Sequence, residues 1–354
     1  MNTRLFLPGP VEVPETVREA MARPMVGHRT NAFRKVAKEV FAGLKTLLGT
    51  DRPVAVLPCT GTGAMEGAVR TLAGGKVLHV SNGEYAKRWM TISVANGLDT
   101  EMMFVPRGRA PTGSDILRAL DGLEGIDAVA VTHNETSTGA LADLSGIGES
   151  LGKLDDTLVL VDAISSLGAV DIRPEEMGVD LLIASTQQAL GLPPGAAIVW
   201  MSERAVRRAK EREGRGFFLD LVNWIDAAEA DAVPSTPPIA HFFGLQASLT
   251  AIHEEGMAER EARHRRIAAR VREWGSRFGV LAEEPFHSPT VTVLRKPEGF
   301  EYPKFAKALR KKGIAIGDGY GRLRDRTFRI GHMGNVTEEE TEALIAAMEG
   351  ILEG

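Results

Sequence analysis

Between residues 54 and 201, short apolar runs rich in β-branched residues recur, each followed by a stretch of helical spacing, and this alternation leaves few architectures open. Residues 54–58, 77–80, 102–105, 128–132, 158–161, 181–184 and 197–201 are apolar at nearly every position, His79 and Thr132 apart, instead of on alternate positions, which marks strands covered on both faces. Parallel neighbours need a long, usually helical crossover, so strands alternating with helices predict an α/β fold: a mostly parallel sheet with helices on both faces.

The pattern is different on either side of this block. Phe33, Val36, Val40, Phe41, Leu44 and Leu47 recur every three or four residues and predict one helix over 31–48. After the proline-rich stretch 233–238, a long helix is expected from 239 to 278, with Gly244 and Gly256 as weak interruptions. Strands at 290–294 and 328–331 and helices at 303–312 and 337–352 then predict a small C-terminal α+β unit. A chain of 354 residues exceeds the roughly 100–200 residues of one ordinary domain. The expected division is an N-terminal segment 1–25, a large domain 26–260 and a small domain 261–354.

Charge and composition narrow the partners. The 47 acidic and 42 basic residues are spread along the chain for a net −5, with no block of like charge of the kind that grips nucleic acid. No apolar run approaches the roughly 18 residues of a membrane helix, so no membrane partner is expected. Cys59 stands alone, so no internal disulfide can form, and Pro8 and Pro10 interrupt the first apolar residues; a cytoplasmic setting is the expectation.

In parallel sheets ligands sit beyond the carboxyl ends of the strands, and several loops there are unusual. Cys59-Thr60-Gly61-Thr62-Gly63 leads from a strand into a helix, where backbone N–H groups and two hydroxyls can face one anion; an ordinary threonine-capped turn would look the same. Asp162 ends an apolar strand, a costly place for a carboxylate without a cationic partner, unless it caps the next helix. The polar run from Thr132 to Gly139 concentrates polar groups at this edge; its His133, taken alone, reads as a satisfied core histidine. Ser185-Thr186-Gln187-Gln188 runs into a turn closed by Pro193-Pro194, and Arg329 sits in an apolar strand where it needs an anionic ligand or a structural ion pair.

In this order, and with Leu7-Pro8-Gly9-Pro10 and Gly27-His28-Arg29 ahead of them, these segments resemble class V, fold type I pyridoxal-phosphate aminotransferases of the alanine–glyoxylate and serine–pyruvate group along essentially the whole chain. The resemblance implies pyridoxal 5'-phosphate as cofactor, amino acids and 2-oxo acids as substrates, and a homodimer whose N-terminal segment crosses to the partner. It implies alanine, serine or aspartate as donor and glyoxylate or pyruvate as acceptor. Thr60, Gly61 and Thr62 would hold the phosphate, Tyr85 and Ile164 would bracket the ring, Thr136 would bond the ring hydroxyl, and Asp162 would pair with the ring nitrogen. Gln187 belongs to the same motif, and Arg329 would grip the substrate α-carboxylate. Phe243 falls where relatives have a tyrosine near the neighbouring subunit's phosphate.

One position departs from the family. Its cofactor-binding lysine is expected before Ala-Leu-x-x-Pro-Pro-Gly, and this chain has Gln188 there, with no other lysine in the stretch. An amide nitrogen is not a nucleophile and carries no proton to and fro. Three readings stay open on sequence: an aminotransferase with impaired turnover, a cofactor-binding or regulatory relative, and a deliberately inactivated variant. A desulfurase or lyase of the same fold would need Cys59 as its nucleophile.

Overall fold

The computed structural model describes residues 3–353. β1 (Arg4–Phe6) and α1 (Glu15–Met21) precede α2 (Asn31–Leu48), the helix expected from its apolar stripe. The Thr30 hydroxyl caps α2 by accepting from the Phe33 N–H, and Gly49 ends it at φ 59°, a left-handed turn that glycine makes without a Cβ penalty. Strand and helix then alternate: β2 (Val54–Leu57), α3 (Gly61–Leu72), β3 (Lys76–Ser81), α4 (Glu84–Ala95), β4 (Thr100–Phe104), α5 (Gly113–Leu120) and β5 (Ile126–Thr132). A short ribbon of β6 (Asn134–Glu135) and β7 (Ala140–Leu141) and the helix α6 (Leu144–Leu151) follow. β8 (Leu158–Asp162), β9 (Leu181–Ser185) and β10 (Ala197–Met201) complete the block, with α7 (Glu203–Lys210) and α8 (Leu221–Glu229) after them.

The strands expected from the apolar runs form one seven-stranded sheet in the order β2-β10-β9-β8-β5-β3-β4. β10 alone runs against its neighbours, antiparallel to β2 and β9, while β9, β8, β5, β3 and β4 are parallel. Every residue of β2, β8, β9 and β10 is buried, as an unbroken apolar run requires when helices cover both faces. The carboxyl ends of the parallel strands therefore deliver their loops to one edge.

The long helix expected over 239–278 is two helices, α9 (Ile239–Glu255) and α10 (Met257–Gly275). Gly256 separates them at φ 78°, a backbone state that other residues rarely enter, so the glycine breaks the helix. A second sheet, in the order β1-β12-β13-β11, gathers β11 (Val291–Arg295), β12 (Ile314–Asp318) and β13 (Thr327–Gly331) with the N-terminal strand. α11 (Tyr302–Lys311) and α12 (Glu338–Leu352) pack on it. β1 lies parallel to β12, Arg4 opposite Ile314, and Phe6 joins the core built by the C-terminal residues, whereas Val17 belongs to the large core. Arg260, 2 % exposed, ties the parts together: it donates to the carbonyls of Gly168 and Ala189 and to Asn335 Oδ1, and pairs with Glu255. No helix among the described residues is long and apolar enough to cross a membrane.

Candidate active site

Five segments at the carboxyl edge of the large sheet, with Pro8-Gly9-Pro10 laid over them, enclose a cavity of about 230 Å³. Thr60, Gly61 and Thr62 enter from the β2–α3 turn. Thr60 is the cap residue of α3, yet its side chain makes no capping hydrogen bond, which leaves the hydroxyl and the orphan N–H groups of the first turn open to a ligand. A Cβ on Gly61 would collide with Ile164, so glycine lets the helix start approach the opposite wall.

Asp162 ends β8 at the cavity and is 4 % exposed. Its Oδ1 accepts from the Ile164 N–H at 2.9 Å. Burial pushes its carboxyl up to about 7, and the nearby Glu135 adds to the rise. Thr136 and Gln187 also line the cavity, the latter with its Oε1 taking a hydrogen bond from the Ser185 hydroxyl. Gln188 is buried in the same wall with Oε1 lacking any partner. A Cβ on Gly9, at φ 103°, would lie 2.8 Å from Gln188 Cγ, so the N-terminal loop closes on this side chain.

Tyr85 opens α4 and stacks on Tyr320 of the small sheet's β12–β13 connection, centroids 5.3 Å apart and planes 11° from parallel. Arg88, one helical turn on, donates to the Tyr320 hydroxyl at 2.7 Å and lines the cavity. Arg329 is 8 % exposed on β13. Its Nε donates to the Asp318 carbonyl at 2.7 Å and its Nη1 reaches the Thr136 carbonyl at 3.5 Å.

The residues expected around a cofactor thus converge on one cavity, Phe243 excepted. Phe243 lies on α9, 1 % exposed, with the Arg23 guanidinium 4.3 Å from its ring centre. Two participants were not expected. Glu135, fully buried, accepts from the Tyr85 and Ala86 N–H groups at 3.0 and 3.1 Å and from the Ser137 N–H and hydroxyl at 3.0 and 2.6 Å, which anchors the helix start that carries Tyr85. Arg88 is the other; its only signal in the sequence is its place three residues after Tyr85, on the same helix face. Cys59 sits beside the site, but burial raises its thiol to about 11, so it is protonated at neutral pH and a poor nucleophile. His133 is buried, bonded through Nδ1 to the Ser166 hydroxyl, and held neutral by burial, as the core reading expected.

Comparison with known proteins agrees with this arrangement. The family model for aminotransferase class V matches residues 15–343. The chain is 34 % identical to a protein named as the small subunit of a soluble hydrogenase from Synechococcus sp., over 98 % of this chain and 92 % of that one. It is 35 % identical to L-aspartate–glyoxylate aminotransferase of Paracoccus denitrificans, over 98 % and 90 %. Among solved structures, alanine–glyoxylate aminotransferase from Nostoc sp. superposes with a TM-score of 0.93 at 30 % identity, covering 99 % of this chain and 96 % of that one. Sequence order, sheet topology and these likenesses lead to one conclusion: the chain belongs to the class V aminotransferases.

Proposed function

We propose that this chain holds pyridoxal 5'-phosphate without a covalent bond to the protein and binds the amino acids and 2-oxo acids of an amino-transfer reaction, with turnover curtailed by Gln188. The observation that carries the reading is Asp162, a buried carboxylate with no ion pair among the described residues, facing a cavity whose other walls are a helix start, a tyrosine ring and Ile164. A protonated ring nitrogen is the partner that such a carboxylate lacks.

Each wall then has a task. Thr60, Gly61 and Thr62 would receive the phosphate at the positive end of α3. Tyr85 and Ile164 would hold the ring between them, and Thr136 would meet the ring hydroxyl. Arg329 would fix the substrate α-carboxylate and so orient its Cα. When bound, the cofactor supplies an electron-withdrawing ring that stabilises negative charge on the substrate carbon. Asp162 keeps the ring nitrogen protonated for that purpose.

Gln188 can do neither job of a lysine amine. It does not attack a carbonyl, and it cannot carry the Cα proton, a loss worth about 10²–10⁴-fold in rate. The names of the aspartate–glyoxylate and alanine–glyoxylate relatives support alanine or aspartate as donor and glyoxylate as acceptor; serine and pyruvate rest on the family resemblance. We also place the chain in a homodimer, with the stretch 236–243 reaching the partner; the N-terminal segment, expected to cross over, packs on its own chain from β1 to Val11. The test is Gln188→Lys. The unaltered protein should bind pyridoxal phosphate and show no attachment after borohydride treatment by intact mass, and Gln188→Lys should gain both the attachment and measurable transamination. Attachment without turnover on any common 2-oxo acid would favour a binding protein, and no cofactor binding by either form would refute the site.

A further inference from the structure

Beside the cofactor cavity, and sharing Pro8, Gly9 and Tyr85 with it, lies a second, open cleft of about 510 Å³ under α11 and the small sheet. Its charge is lopsided. Arg310, Arg324 and Arg329 line it against one carboxylate, Asp318. That carboxylate is already engaged by Lys296 Nζ at 2.7 Å, with Arg324 more distant at 3.9 Å. Arg310 makes no ion pair among the described residues, and the hydrogen bonds of Arg329 go to two backbone carbonyls. Tyr302, Ala306 and Ile316 supply an apolar floor.

Arg329 stands where the two spaces meet. It lines the cleft, and its Nη1 reaches the carbonyl of Thr136, a residue of the cofactor cavity. A substrate whose α-carboxylate rests on Arg329 has the cleft open to its side chain. A neutral side chain would leave the remaining guanidinium charge unanswered, whereas a second carboxylate would meet it, with its methylene carbons over the apolar floor.

We infer that this cleft selects acidic substrates: amino acids and 2-oxo acids with a carboxylate at the far end of the side chain, read by Arg310 and Arg324. The inference rests on the amino-transfer reading above; it keeps aspartate among the donors and favours acidic 2-oxo acids over glyoxylate and pyruvate as acceptors. Because the outer arginines are exposed to water, which screens them, the selectivity should be about tenfold and should weaken with salt.

The test is calorimetric titration of the protein loaded with pyridoxal phosphate, using aspartate, glutamate and their 2-oxo acids beside alanine and pyruvate. Acidic ligands should bind about tenfold more tightly than the neutral-chain ones at low salt, and in the double variant Arg310→Ala/Arg324→Ala the ratio should fall to near one. Equal affinity for alanine and the acidic ligands, or a ratio unchanged in the double variant, overturns the inference and leaves the amino-transfer reading standing if Arg329→Ala still weakens alanine. If no amino or 2-oxo acid binds the loaded protein, or if Arg329→Ala binds all of them as before, both readings fall.

Discussion

At Asp162 burial opposes charge, and the consequence can be followed through pH. A carboxyl with an ordinary value of 3.8 is raised to about 7 in the folded chain, so between these values the folded form keeps a proton that the unfolded form has released. Stability without cofactor therefore falls as pH rises from about 4 to about 7 and levels off above, at a total cost of about 4 kcal/mol. Asp162→Asn should flatten that slope, be more stable than the parent at pH 8, and bind pyridoxal phosphate more weakly. Urea unfolding at pH 5 and pH 8 measures it, and equal slopes in the two proteins would count against the account. Asp162 was legible in the sequence because a charge ending an apolar run demands a partner. Glu135 was not: nothing local tells a loop carboxylate that anchors a distant helix from one facing water.

Among the elements, α4 is anchored by a residue outside itself. Glu135 satisfies two of the N–H groups that every helix start leaves open, and Gly83 gives it room, since a Cβ there would collide with the Glu135 side chain. Glu135→Gln turns one acceptor oxygen into a donor facing other donors, at about 1–3 kcal/mol for each group left unpaired. We expect a lower denaturation midpoint and weaker cofactor binding, because Tyr85 rides on the same turn; an unchanged midpoint would refute the anchoring role. Most strands were readable because consecutive apolar residues between helical stretches favour a place covered on both faces; the run 102–105 is the exception, since β4 lies at the sheet edge and Phe104 is 78 % exposed. β1 and β12 were not, being short and held by pairing across the chain. Gly256 was underestimated because a glycine inside a periodic pattern signals tolerance as often as a break, and its backbone angle decides which.

For the whole molecule, the two cores are joined at the site itself: Tyr85 of the large sheet's helix stacks on Tyr320 of the small unit, and Arg260 links both. A homodimer is the expected assembly, and light scattering at micromolar concentration should return twice the 38.1 kDa chain mass; the mass of a single chain would overturn the assignment. The fold and most of the cavity wall could be read from the order of motifs, whereas the second cleft could not, because its arginines come from segments that only the folded chain brings together. The path of the first residues carries a further consequence. Among the described residues β1 has its only strand partner in β12, which follows the whole large sheet, and the loop after β1 supplies Gly9, the wall against Gln188. During synthesis β1 is made well before β12 and has no strand to pair with until β12 follows. The ligand pocket is thus closed only once β12 is in place, so a nascent chain stalled before β12 should carry a folded large sheet and still fail to retain pyridoxal phosphate.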